Sequence, residues 1–255
     1  MAQRILSAAE ERAAKTRESA AELARRNRTE HPEMEIVYRR PFASKLFAER
    51  ETNTPRHRTA EAMNYKNYGN SNGALVPSAC LELERRAKGQ ETVHFLDLGP
   101  GHGDGLKVAE GVGRNVFAHG LGLNYPSDDS YVPRGRWIRR HFESTVIRKK
   151  GKKEGFFDVI QSRFGLQHAT NKAVALENVL NSLKVGGVFF HHHPNRNFTA
   201  KELTDLLESQ GFEVRLGGGF NQVQAITRKS MAQADLRRLY QHCGLNEVPM
   251  RKDLP

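Results

Sequence analysis

Val93 to Gly105 reads Val-His-Phe-Leu-Asp-Leu-Gly-Pro-Gly-His-Gly-Asp-Gly, a short apolar run that ends at Asp97 and gives way to Gly99, Gly101, Gly103 and Gly105. The pattern predicts a buried strand that breaks into a loop of nearly bare backbone. Glycine accepts positive φ and lets a ligand approach the main chain without meeting a Cβ, so the loop is expected to bind a ligand. Asp104 is expected to cap a helix over about residues 105–110, its carboxylate accepting from the first unpaired amides. The spacing argues against a dinucleotide. That motif, G-x-G-x-x-G, needs its third glycine five residues after the first, where a pyrophosphate meets the helix N-terminus. Counted from Gly99, the position holds Asp104, whose charge would repel a pyrophosphate.

A chain of 255 residues with 38% hydrophobic content can hold one α/β domain of roughly 150 to 200 residues with extensions. No run of about 18 apolar residues occurs, so no membrane span is expected. The N-terminus lacks a signal-peptide core and carries repeated glutamates, which predicts a cytoplasmic protein. Cys80 and Cys243 are too few and too far apart in sequence for a disulfide framework, in keeping with a reducing compartment. The formal charge of +11 makes polyanions candidate partners. Nine Lys and Arg residues lie between Pro133 and Lys153, from Arg134 and Arg136 to Lys152 and Lys153, opposed only by Glu143 before Glu154. The Arg148 to Lys153 portion reads as an exposed basic loop.

Three stretches follow from the patterning. Residues 1–72 form a helical and irregular basic extension: a capping box at Ser7 to Glu10 opens a helix to about Arg28, and Glu30 to Asn72 is irregular apart from a short helix at Ala43 to Arg50. Residues 73–229 form the α/β domain. Within it the pattern predicts helices at Pro77 to Ala87, Lys172 to Leu183 and Thr199 to Ser209, and strands at Asn115 to Leu123, Trp137 to Phe142, Phe156 to Ile160, Val188 to His191 and Phe212 to Leu216. A hairpin strand at Gln222 to Thr227 follows a turn too short for a crossover, so the last strand must be antiparallel. Residues 230–255 are a C-terminal helix, capped by Ser230 and running to about Cys243, and a tail.

Asp97-Leu-Gly-Pro-Gly-His-Gly resembles the D/E-x-G-x-G-x-G first motif of class I S-adenosylmethionine-dependent methyltransferases. Phe157-Asp-Val-Ile160 with Leu166-Gln-His168, and Leu183-Lys-Val-Gly186-Gly187, resemble two later segments of that family in the same order. The likeness covers roughly Cys80 to Lys229. It implies a doubly wound, seven-stranded, mostly parallel sheet with an antiparallel last strand, and S-adenosylmethionine as cofactor. It further implies that Asp97 lies near the methionyl ammonium, that Gly99, Pro100, Gly101 and Gly103 form the binding loop, and that Gln161 and Ser162 lie beside cofactor and substrate. Asn124 stands where the family usually has an acidic residue for the ribose; an amide can accept from one hydroxyl and donate to another, without the charge-assisted bond. After the third strand, His141, Phe142 and Glu143 are the neighbours for the adenine amine.

Methyl transfer from a sulfonium needs alignment and removal of a proton, so no universal catalytic residue is expected. Gln161-Ser-Arg-Phe164 differs from the N/D-P-P-Y/F segment of base amino-methylating members. Arg163 and His168 are candidate substrate-facing groups. His191-His-His193 invites a metal reading, but neighbours along a strand point to opposite faces, so only His191 and His193 could converge; no metal is expected. The acceptor is open: nucleic acid through Arg134 to Lys153 and the N-terminal extension, a small molecule, or a protein. A non-catalytic nucleic-acid- or protein-binding module on the same fold is the alternative.

Overall fold

In a computed structural model the described residues are 31–38, 75–122, 131–163, 165–166, 169, 172–192, 201–216 and 223–236. The expected helices before Arg28 and at Ala43 to Arg50, together with Asn124, His168, His193 and the chain after Leu236, lie outside them.

The chain alternates strand and helix. In order, it gives β1 (Met34–Tyr38), α1 (Pro77–Gly89), β2 (Val93–Leu98), α2 (Asp104–Val112), β3 (Val116–Gly122), β4 (Trp137–Arg139), a 3-10 turn (Phe142–Ser144) and β5 (Thr145–Lys149). It continues with β6 (Phe157–Arg163), α3 (Lys172–Asn181), β7 (Leu183–His192), α4 (Lys201–Ser209), β8 (Phe212–Leu216) and β9 (Val223–Arg228). Seven strands form one sheet in the order β4-β3-β2-β6-β7-β9-β8. Pairings from β4 to β7 are parallel, and β9 is antiparallel to both β7 and β8. The seven-stranded sheet with its antiparallel last strand is the one expected.

Each face has its own core. Val93 and Phe95 pack with Leu83 of α1, Leu106 of α2 and Trp137, while Leu96 and Leu98 pack with Leu176 and Leu180 of α3. Because β2 is covered on both sides, all six of its residues are buried, as expected of a parallel strand between two helix layers. That burial places His94 and His119 in the interior. His94 Nδ1 and His119 Nε2 are 3.2 Å apart, and the Arg136 amide donates to His119 Nδ1 at 2.9 Å. The second nitrogen of His119 must therefore carry the proton and donate to His94. Burial pushes His94 down to about 3 and holds His119 well below its ordinary value.

Four local expectations are corrected. Residues 34–38 are not irregular: β1 pairs antiparallel with β5, from Met34 with Lys149 to Tyr38 with Thr145. Consequently Arg148 and Lys149 belong to a strand, and only residues 150–153 form the basic turn, where Gly151 has a φ of 71°. The strand expected at Val188 begins at Leu183 and runs through Gly186 and Gly187, because the chain enters the sheet immediately after α3. The strand expected to reach Phe142 stops at Arg139.

Ser230 opens no helix over residues 231–236. Arg228 is fully buried and donates to the carbonyls of Leu183, Ser230, Met231 and Ala232. Asn181 exchanges both its amide bonds with the Ala234 backbone, Gln210 does the same with Asp235, and Glu177 accepts from the Leu236 amide. With its backbone groups held by side chains of α3 and the residue after α4, the segment lies as a non-helical strap.

Candidate functional site

The strand order reverses around β2, where the connection to β3 runs one way and β6 lies on the other side. In open α/β sheets a ligand binds in the crevice at the carboxyl ends of such strands. Asp97, near the carboxyl end of β2, is level with Gly120 of β3 and Gln161 of β6. Its side chain is buried, at 5% exposure. Burial pushes its carboxyl up to about 7, while the hydrogen bond from Gln161 and the charge of Arg163 pull in the opposite direction. Gln161 also accepts the Val76 amide at 3.0 Å through Oε1. One side chain thus ties the start of α1 to the carboxylate.

The loop after β2 turns back over β3. Gly99, Gly101 and Gly103 have φ of 73°, 56° and 87°, in the region that glycine alone enters freely. At Gly101 a Cβ would meet no protein atom within 4 Å, so the loop presents bare backbone to open space there. The other loop residues are held by the scaffold. The Gly99 amide donates to Leu121 O at 2.8 Å and that of Gly103 to Pro100 O at 2.8 Å. Pro100 lies on Gly120, and a Cβ on Gly103 would press on Tyr131 and Trp137. Asp104 is not the cap expected for α2: Gly103 occupies that position, and Asp104 lies in the first turn, where its charge faces the positive end of the helix dipole.

On the β6 side, Ser162 Oγ accepts the Leu166 amide at 2.9 Å, which fixes the turn after β6. Gly165 in that turn approaches so closely that a Cβ would lie 2.0 Å from Leu98 O. Of the three residues expected near the adenine, Phe142 is the one beside the loop, its ring 4.0 Å from where a Gly99 Cβ would stand, and Glu143 is buried. His191 is buried, level with Ser162 on β6 and Gln224 on β9. Among the described residues, no three His, Cys, Asp or Glu side chains converge to hold a metal ion. The family resemblance gave Asp97 and Gln161 as separate candidates; their hydrogen bond, and the action of the Arg163 charge on the same carboxyl, depend on strand register.

A family described as methyltransferase domain matches residues 72–248. The chain belongs to that family. A protein of Mycolicibacterium smegmatis named as a probable S-adenosylmethionine-dependent methyltransferase is 26% identical over 179 residues, 61% of this chain and 67% of its own. A TehB-like S-adenosylmethionine-dependent methyltransferase from Corynebacterium glutamicum is 18% identical, with a TM-score of 0.47 over 69% of this methyltransferase and all of that one. The Burkholderia thailandensis 1,6-didemethyltoxoflavin-N1-methyltransferase, solved with S-adenosylhomocysteine, is 16% identical, with a TM-score of 0.42 over 90% of this chain and 93% of its own. The methyltransferase uses S-adenosylmethionine as its cofactor. The alternative of a non-catalytic module finds no support in these relatives.

The site fits that cofactor on its own chemistry. An ammonium needs an anionic partner, and Asp97 provides one; Gly101 offers backbone with no side chain in the way. Among the described residues, no helix is long and apolar enough to cross a membrane.

Proposed function

We propose that the methyltransferase binds S-adenosylmethionine in the crevice over β2 and transfers its methyl group to an acceptor approaching from the carboxyl ends of β6 and β7. The observation that carries this reading is a buried carboxylate at the switch point beside an open, left-handed glycine. Asp97 would hold the methionyl ammonium, and Gln161 keeps its carboxylate in place by donating to it while accepting from Val76. Gly101 would lie against the cofactor, Phe142 would flank it, and Asn124 would meet the ribose. The cofactor supplies a methyl group already activated on sulfonium. The protein's own work is to align the acceptor and take its proton.

The test is calorimetric titration of S-adenosylmethionine and its demethylated product into the wild type and Gly101→Val. Binding to the wild type, lost in a folded variant, is the expected result. Normal affinity in the variant would refute the placement of the loop.

We infer further that a polyanionic acceptor or partner would be engaged by the turn after β5. Lys149 at the end of β5 and Lys150, Lys152 and Lys153 in the turn are exposed. Three arginines of the same basic run serve the fold: Arg134 donates to the carbonyls of Glu110, Gly113 and Arg114, Arg136 to that of His31, and Arg148 to Gln233, whereas Arg139 and Arg140 are exposed.

A further inference from the structure

Glu110, near the carboxyl end of α2, is buried, and each of its carboxylate oxygens meets two donors. Oε1 accepts the Ala118 amide of β3 at 3.0 Å and the Arg134 amide at 2.7 Å. Oε2 accepts the Tyr131 hydroxyl at 2.7 Å, with Arg134 Nε 3.4 Å away. The contacts to Ala118 and Arg134 tie α2 to β3 and to the segment that leads into β4. The contact to Tyr131 reaches the glycine loop. The Tyr131 amide donates to His102 O at 2.9 Å, and a Cβ on Gly103 would stand 3.1 Å from Tyr131 O and 3.2 Å from Tyr131 Cβ. Gly101 therefore lies between two fixed points: Pro100, which lies against Gly120 on one side, and the His102 and Gly103 backbone, which rests on Tyr131 on the other. The first point belongs to the sheet, whereas the second depends on a side chain anchored by its hydroxyl to Glu110. Burial and that hydrogen bond push the Tyr131 phenol up to about 12, so it keeps its proton to donate at neutral pH.

We propose that Glu110 is a positioning residue for the methyl donor: through the Tyr131 hydroxyl it fixes the Tyr131 backbone, and with it the stretch that presents bare backbone at Gly101. The role rests on the reading of this loop as the donor's binding surface. A binding group keeps its geometry only when the residues behind it are themselves locked in place. A Glu110 that served stability alone would make a different prediction, because every contact to it would then matter to the fold and none to the ligand.

Tyr131→Phe and Arg134→Gln each remove a side-chain donor to Glu110, but only Tyr131 touches the loop. S-adenosylmethionine is titrated calorimetrically into the full chain under conditions where urea unfolding shows each protein to be folded. Tyr131→Phe should bind about fivefold to tenfold more weakly than the wild type, the usual size of a hydrogen bond to a charged group. Arg134→Gln should stay within about twofold of the wild type, even where its loss of stability is the larger. Without ligand, amide hydrogen exchange over residues 101–104 should quicken in Tyr131→Phe and not in Arg134→Gln. Wild-type affinity in Tyr131→Phe would overturn the proposal, as would equal loss of affinity in the two variants or unaltered exchange in the loop of Tyr131→Phe. No binding by the wild type would overturn the cofactor reading and this role with it, a result distinct from wild-type binding that Tyr131→Phe leaves unchanged.

Discussion

Asp97 is kept where water cannot solvate it, and the cost of that burial is legible as a pH dependence. Its carboxyl is pushed up to about 7 in the fold, against about 4 for an unfolded chain. A raised carboxyl means that the native state holds the proton more tightly. The contribution is fully present below about pH 4 and is lost as pH rises through 7. Asp97→Asn should therefore be more stable than the wild type at pH 8, by about 1 to 4 kcal/mol, with the difference vanishing near pH 4. Urea denaturation of both proteins across that range checks it, and a constant difference would contradict it. The same variant should lose cofactor affinity, a trade between stability and function at one side chain. His94 and His119 act with the opposite sign. Burial lowers both, so their contribution is intact above about pH 6.5 and is lost on acidification towards the folded values. In Asp97→Asn, where the opposing term is gone, stability should fall more steeply from pH 6.5 to 4.5 than in the wild type.

At the scale of elements, the glycines separate into two kinds. Gly101 has open space around its missing Cβ, whereas a Cβ on Gly165 would lie 2.0 Å from Leu98 O and one on Gly135 2.0 Å from Ala118 O. Gly165→Ala and Gly135→Ala should each destabilise the fold by about 3 kcal/mol or more, because backbone must move. Gly101→Val should cost only its strained φ, about 1 to 3 kcal/mol, and keep a cooperative transition. Thermal unfolding of the three variants tests the ranking, and a Gly101→Val protein less stable than the other two would break it. The apolar run, the glycine spacing and the helical periods carried the parallel core and Asp97 because those signals are local. β1 and β5 were hidden for a physical reason. Met-Glu-Ile-Val-Tyr and Thr-Val-Ile-Arg-Lys are five-residue strands set among prolines and bases, and each is stabilised by the other across more than a hundred residues. The strap at 231–236 was equally invisible. Nothing near Ser230 says that a buried Arg228 will claim the carbonyls a helix would use.

Over the whole molecule, the proposed cofactor crevice and the lysine-rich turn lie at opposite ends of the sheet. β6 runs from Phe157 up to the site, so the turn that precedes it lies at the amino ends of the parallel strands. There the Phe156 amide donates to Ser182 O, just before β7. Lys150, Lys152 and Lys153 are on that turn and Lys149 ends the strand leading into it, far from Asp97 along the strands. A polyanion gripped there would be docked to the enzyme without entering the crevice. Each neutralised phosphate contributes about 0.7 to 0.9 to the logarithmic salt slope. Replacing the four lysines by Gln should flatten the slope for RNA or DNA by about two units or more and leave cofactor affinity unchanged. Anisotropy titrations at two salt concentrations measure this, and an unaltered slope would remove the turn as a docking surface. The central claim, that the crevice over β2 holds the methyl donor between Asp97 and the bare backbone at Gly101, has a more direct test. S-adenosylmethionine titrated calorimetrically into the wild type and Gly101→Val at pH 8 should bind the first at one site and the second not at all, with both proteins folded. Absence of wild-type binding at millimolar ligand, or equal binding by the two, would contradict it.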